Sequence, residues 1–339
     1  GANGISPMGK GDMVTQDSRI RSYLEEYDVR PVDPGYVPSM SDPQVTLGMM
    51  LFFDRALSGN QDIACSTCHH PNLGTSDALS LAVGVGGSGL GAARVPGEDA
   101  GFIPRNSPDL FNRGSAEWKT MFWDARVSAV ETYFDSPAGD ELLEGLDSVL
   151  AVQAMFPPTS AHEMRGNPGD NPIADAEELT DIWAQLTARI VSFPGYQTLF
   201  EAVYPEVSLA DINFSHIANA LAAYEKAAFT RLDSPFDRYL AGDNHALNEQ
   251  EKRGAELFFG DAGCATCHNG PLLTDQKSYV LGAPQLGPGK GDAAPADEGR
   301  FLETKREADK YAFRTPPLRN VELTGPYFHS GAYTNLYDV

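Results

Sequence analysis

Apolar positions follow a helical period through much of this chain, and few strands are evident anywhere. Between Ser208 and Phe229, Phe214, Ile217, Leu221 and Tyr224 fall on one face of an amphipathic helix. Ala174 to Ile190 reads the same way, and a shorter helix is expected near Ile20 to Tyr27. Ser41-Asp-Pro-Gln44 has capping-box spacing and predicts a helix running into Leu47-Gly48-Met49-Met50-Leu51-Phe52-Phe53. Asn248-Glu-Gln-Glu251 does so again before Arg253-Gly254-Ala255-Glu256-Leu257-Phe258-Phe259. Residues 282 to 300 form a Gly/Pro/Ala-rich loop, and Pro316-Pro317 interrupts any helix nearby. The Gly-rich run from Gly84 to Gly91 neither follows a clear strand nor opens a clear helix, so it reads as a surface loop.

Each of the two capped helices is followed by a cysteine pair, which makes the pattern a degenerate internal repeat. Cys65-Ser-Thr-Cys68-His69 and Cys264-Ala-Thr-Cys267-His268 account for all four cysteines. This is the c-type haem attachment pattern, twice. Two thiols one short turn apart can form thioethers to the two vinyl groups of one haem, and the next histidine can swing under the iron as an axial ligand. Other uses of paired cysteines fit less well. A zinc ribbon brings its pairs closer together and does not need histidine after both. A thioredoxin-like pair would sit in a βαβ context that is not visible here, and two disulfides would leave both histidines without a purpose. The expected fold is mainly α, with two cytochrome c-like helical domains, each carrying one covalent haem c.

Length and composition agree with this. The chain has 339 residues, 42% of them hydrophobic and 21% charged, enough for two domains with their own cores. The expected layout is an N-terminal arm at 1–40, a first domain with linking helices at 41–230, and a second at 231–339. No apolar run approaches the length of a membrane span. The net charge of −22 disfavours nucleic acid and anionic membrane surfaces as partners and would attract a basic protein. Haem is attached to such motifs outside the cytoplasm. Residues 1–10 lack the apolar core of a signal peptide, so a mature form in the periplasm or at the cell surface, after signal removal, is expected.

Leu47-Gly-Met-Met-Leu-Phe-Phe-Asp-Arg-Ala-Leu-Ser58, Phe122-Trp123-Asp124-Ala125-Arg126, Phe313-Arg-Thr-Pro-Pro-Leu-Arg-Asn320 and Gly325-Pro-Tyr-Phe-His-Ser-Gly331 occur in that order. In these segments the chain resembles the bacterial di-haem cytochrome c peroxidases, whose superfamily includes the MauG-type enzymes. The resemblance implies two helical cytochrome c domains facing each other, with a calcium ion and a tryptophan between the haems. It makes the haem at Cys65, Cys68 and His69 the peroxide-reacting centre, and the haem at Cys264, Cys267 and His268 the electron-transfer centre. Trp123 becomes the bridge, although a tryptophan is also often buried for packing alone. Asn106, through its side chain, and Thr315 and Pro317, through their carbonyls, match the calcium ligands. Oxygen donors suit a hard cation.

The peroxide pocket is where that family divides. One branch blocks its resting first haem with a second histidine, but here none occurs between His70 and His162. Gln153, Pro157 and Glu163 instead match the MauG-type pocket, which implies an open site with a carboxylate above it. Peroxide cleavage needs a base that takes a proton from one oxygen and returns it to the leaving one, and a partly buried Glu can do both. Glu163 is the candidate acid/base, Gln153 the group that orients peroxide, and His162 the rival. In the family the sixth ligand of the second haem lies just beyond the matched His329. The sequence stops at Val339 and its methionines all lie at or before Met164, so the last helix is expected to be missing and that ligand is unassigned.

Three functions remain in view. The first is a di-haem peroxidase using hydrogen peroxide and fed by a small electron-donor protein, a cytochrome c or a cupredoxin. The second is a MauG-like enzyme that oxidises Trp or Tyr on a partner protein. The third is a non-catalytic di-haem electron carrier.

Overall fold

The computed structural model describes residues 15–98 and 100–339. The expected processed N-terminus, residues 1–10, lies outside the described residues. Among these the chain forms ten α-helices: α1 (Gln16–Glu26), α2 (Pro43–Phe53), α3 (Cys65–Cys68), α4 (Val149–Ala154), α5 (Leu179–Val191), α6 (Pro194–Val203), α7 (Phe214–Phe229), α8 (Pro235–Leu240), α9 (Glu249–Phe259) and α10 (Phe301–Thr304). Sheet is confined to two small antiparallel pieces. β1 (Thr120–Met121), β2 (Val127–Val130) and β3 (Tyr133–Asp135) form one, and β4 (Ser278–Tyr279) with β5 (Phe313–Arg314) the other.

The helix starts follow side-chain chemistry. Asn248 accepts from the amides of Gln250 and Glu251 at 2.9 and 3.0 Å, while Glu251 accepts from the Asn248 amide at 2.7 Å, which closes the expected capping box on α9. At α2 the cap is Asp42 rather than Ser41: its carboxylate accepts from the Gln44 amide at 2.9 Å, and Pro43 occupies the first turn, where no N–H is needed. The middle helices begin later than their apolar patterns suggested. α7 waits for its Asn213 cap and α5 starts at Leu179, because the residues before each lie in turns.

The chain divides into two compact units, and the division differs from the expected boundaries. One unit comprises, among the described residues, 15–31 and 233–275; the other comprises 32–232 and 276–339. Among the described residues, 15–31 and 32–40 fall in different units, and residues 276–339 leave the second cysteine motif to join the unit that holds the first. Bonds to the first part of that unit explain this return: the Arg314 amide donates to the Trp123 carbonyl at 2.7 Å, and Asp297 accepts from Arg105 at 2.6 Å.

In the smaller unit α1 packs on α9. Asp17 accepts from Tyr239 at 2.8 Å and from Lys252 at 3.0 Å, and Arg19 pairs with Glu256 at 2.8 Å. In the larger unit the core lies between α2 and α7. Leu47, Leu51 and Phe52 are buried against Ile217, Leu221 and Tyr224, and each such side chain contributes about 1.5–3 kcal/mol when fully buried. The Phe52 ring meets those of Tyr224 and Phe229 at 5.1 and 5.9 Å. Gly48 sets the closeness of the crossing, since a Cβ there would overlap the Ala220 carbonyl.

Candidate active site

The first cysteine pair occupies the single turn of α3. Thr67 Oγ1 accepts from the Ala64 amide at 3.0 Å, and the His69 amide donates to the Cys65 carbonyl at 2.9 Å. His69 is thereby held one turn from both thiols. Its Nδ1 lies 3.1 Å from the Thr75 carbonyl, the arrangement in which Nδ1 carries the proton and Nε2 keeps the lone pair for a metal. Burial lowers the pKa of the ring, which favours the neutral, ligating form. The second motif repeats this: His268 Nδ1 lies 3.1 Å from the Leu273 carbonyl. No disulfide joins the cysteines, and burial, with Glu225 adding to it, pushes the unattached Cys65 thiol up to about 12.

A cavity of about 440 Å³ opens beside the first motif, within the range for a bound cofactor. Cys65, Cys68 and His69 lie on its wall with Phe52, Leu57 and Leu221, so a covalently anchored, largely apolar macrocycle with one histidine ligand fits the residues present. Gln153, Pro157, His162, Glu163 and Trp123 line the same cavity. The sequence-selected pocket residues, scattered over four segments, are brought to one site.

Gln153 comes from α4, Pro157 from the tight turn that follows, and Glu163 from one turn of π-helix at Ala161–Arg165. Such wide turns leave backbone groups to be met by neighbours. Here the Val85 amide donates to the His162 carbonyl at 3.2 Å and the Gly59 amide to the Met164 carbonyl at 2.8 Å. Gly84 is therefore no part of a free surface loop: a Cβ on it would overlap the His162 carbonyl, and glycine lets this strand-like segment press on the turn that presents Glu163. Burial holds the Glu163 carboxyl above the usual carboxylate range, against the pull of Arg126, Lys290 and Arg105. His162 is exposed at its edge of the cavity, whereas His70 is used locally, its Nδ1 accepting from the Asn72 amide at 3.2 Å.

A buried charge cluster, which sequence reasoning missed, reaches the same cavity through Arg105 and Arg126. Arg105 donates to both oxygens of Asp297, at 2.6 and 2.9 Å, and also pairs with Asp124. Arg126 reaches Asp124 at 3.1 Å and covers the Phe122 ring at 3.5 Å. Burial alone would raise the Asp124 carboxyl, but Arg105, then Arg126 and Lys290, hold it well below the usual range. Asp124 and Arg126 lay within a quoted motif, yet nothing in the sequence indicated that Arg105 and Asp297 would meet across so long a stretch of chain.

Trp123 follows Phe122, whose φ of 68° is an uncommon left-handed conformation for a bulky residue. The indole Nε1 donates to the Asn106 carbonyl at 3.0 Å. Asn106 spends its own Nδ2 on the Leu79 and Ser80 carbonyls, at 3.0 and 3.3 Å, which leaves Oδ1 as its donor oxygen for a cation. The Thr315 carbonyl accepts from Arg314 Nη1 at 3.2 Å. Asn106 and Thr315 are both buried, and Trp123 is bonded to Asn106 and to Arg314, the neighbour of Thr315.

Comparison with known proteins places this arrangement. The family model described as di-haem cytochrome c peroxidase matches residues 42–245. The chain belongs to that family. It is 35% identical to cytochrome c551 peroxidase of Pseudomonas aeruginosa over 88% of this chain and 71% of that protein. It is 32% identical to the methylamine utilization protein MauG of Methylorubrum extorquens, over 88% of this chain and 67% of that one. Among solved structures, a MauG-like protein associated with microbial copper homeostasis superposes with a TM-score of 0.62 at 27% identity, covering 92% of this chain and 79% of the other. The expected class, an oxidoreductase acting on peroxide, is that of the family. The mainly helical fold with little sheet agrees with it. No helix among the described residues is long and apolar enough to cross a membrane.

Proposed function

We propose that this di-haem peroxidase reduces hydrogen peroxide in the cavity beside Cys65, Cys68 and His69. The observation that carries the reading is that Glu163, Gln153 and Pro157 share that cavity with the first haem motif. When bound, the haem supplies the redox-active iron at which peroxide is reduced. Cys65 and Cys68 would hold it by thioether bonds and His69 would ligate it through Nε2. Glu163 takes a proton from one peroxide oxygen and returns it to the other, so that water leaves. Gln153 orients the peroxide by hydrogen bonding, and Pro157 keeps that face narrow. Cys264, Cys267 and His268 would hold the second haem, which would supply electron transfer, and Trp123 would serve the electron route at the first site. Calcium at Asn106, Thr315 and Pro317 would stiffen the segments bonded to Trp123. The donor is a small cytochrome c or cupredoxin, and the protein works in the periplasm or at the cell surface.

The second reading, oxidation of Trp or Tyr residues on a partner protein, is favoured by one feature. No histidine lies between His70 and His162 to block the first site at rest. The MauG-type pocket requires a site that is open in the ferric protein, whereas a blocked peroxidase would open only after reduction. A pyridine haemochrome assay should count two haems per chain, and peroxide should change the first haem's spectrum before any reduction. A count of zero would end the reading, two low-spin haems that react only after reduction would count against the open site, and two that ignore peroxide in both states would leave an electron carrier. Consumption of peroxide with a reduced cytochrome c, compared with modification of a partner protein, separates the two enzymatic readings.

A further inference from the structure

Three carboxyl groups line the first cavity: Asp109, Glu163 and Glu225. Asp109 is paired with Arg113 at 3.1 Å and Glu163 has its role above, but Glu225 has none. It projects from α7 one turn beyond Leu221, with which it shares the cavity wall. Its Oε2 is buried without a hydrogen-bond partner, and it lies near enough to Cys65 to bear on that thiol. An unpaired carboxylate in such a place is costly, so the group holds a proton unless a positive charge stands beside it.

Arg105, Arg126, Lys290 and Arg314 also line the cavity, but none of them is among the charges that bear on Glu225. Arg113 is the cation that bears on Glu225, and it is already spent: it donates to the Asp109 carbonyl at 2.9 Å, pairs with the Asp109 carboxylate and covers the Trp118 ring at 4.3 Å. The helices packed on α7 add none. α2 and α4 carry no titratable side chain, and α5 brings only Asp181, which is exposed, and Arg189, which is bonded to the Ala56 and Ser58 carbonyls. Tyr224, beside it on α7, is neutral in the working range, and Lys226 lies beside Asp33. Burial pushes Glu225 up to about 8, Arg113 notwithstanding.

We propose that Glu225 is the proton-accepting group coupled to reduction of the first haem, binding one proton as one electron arrives and releasing it on reoxidation. This rests on the first haem occupying the cavity as described above. Ferric iron adds a positive charge to the cavity and favours the Glu225 carboxylate. One electron from the donor protein cancels that charge, and one proton from solvent then forms the Glu225 O–H bond, so charge in the cavity is conserved. Reoxidation breaks that bond and returns the proton. Peroxide reduction to water consumes one proton for each electron, so a group that brings them in together at this wall serves the reaction.

The test is spectroelectrochemical titration of the first haem in the intact two-haem protein on either side of pH 8. The parent midpoint potential should fall as pH rises, with a slope approaching one proton per electron. Glu225→Gln, loaded with both haems by the pyridine haemochrome assay, should lose that slope. A loaded variant with the parent's slope, or a parent whose potential ignores pH, would overturn this proposal alone; a parent without the first haem would overturn the functional reading as well. If Glu225→Gln does not fold, redox-difference infrared spectra of the parent decide. A carboxylic C=O band gained on reduction and shifted in Glu225→Asp supports the proposal, and its absence in the parent rejects it.

Discussion

Trp123 donates its indole N–H to the backbone carbonyl of Asn106 at 3.0 Å, and its own carbonyl accepts from the Arg314 amide at 2.7 Å. One residue thus ties the loop between β1 and β2 to both segments that carry the candidate calcium oxygens. Trp123→Phe keeps most of the ring volume but leaves the Asn106 carbonyl without this donor. The expected cost is about 0.5–1.5 kcal/mol, read from the denaturation midpoint, with both haems retained. If Trp123 is the electron route, stopped-flow spectra of the variant should show peroxide oxidising the first haem while the second stays ferric. An unchanged response at both haems would make Trp123 a packing residue only.

Arg105 holds the buried charge cluster at the cavity wall. Arg105→Leu leaves Asp297 without its bidentate partner and Asp124 with Arg126 alone, and breaking a buried pair from one side costs about 3–5 kcal/mol. The pH dependence has a defined sign. The Asp124 carboxyl is held below its unfolded value, so its contribution is present above the ordinary aspartate pKa and is lost as pH falls through the depressed one. Denaturant midpoints across acidic pH should show Arg105→Leu losing stability at a higher pH than the parent. Parallel curves would remove the cluster from the account of acid stability.

Local chemistry made the haem motifs and helix caps legible, because CxxCH spacing and the Asn248 box act within one turn of chain. The pocket residues were legible only through resemblance. Glu163 in a Pro-rich segment looks like a solvated loop residue until the π-turn and Gly84 place it at the cavity. What stayed hidden is long-range: the return of residues 276–339 to the first motif, and the meeting of Arg105 with Asp297, depend on backbone bonds and buried charge between distant segments, with no local signature.

Gly84 carries a prediction of its own. Gly84→Val would force a side chain into the His162 carbonyl and displace the turn that presents Glu163. Overpacking of this kind costs about 1–3 kcal/mol. The reaction with peroxide should slow while haem content stays at the parent level, because the first motif is built from other segments. Equal rates in parent and variant would show that the turn does not position the acid/base group.

Glu163→Gln tests the proton step itself. Burial holds this carboxyl above the usual range despite Arg126, Lys290 and Arg105, so the base form is lost as pH falls through an unusually high midpoint. The parent's peroxide reaction should therefore decline on the acid side above the pH at which an ordinary glutamate titrates. Glu163→Gln should slow that reaction by about 10²–10⁴-fold and lose this limb, with both haems still bound. His162→Ala, changed at the exposed neighbour, should keep both the rate and the limb. The same raised pKa fixes the sign for stability: the folded chain holds this proton more tightly than the unfolded one, so the contribution fades as pH rises from the ordinary glutamate pKa to the raised one. Glu163→Gln should flatten that part of the stability curve. Kinetics unchanged in Glu163→Gln but slowed in His162→Ala would transfer the role to the histidine.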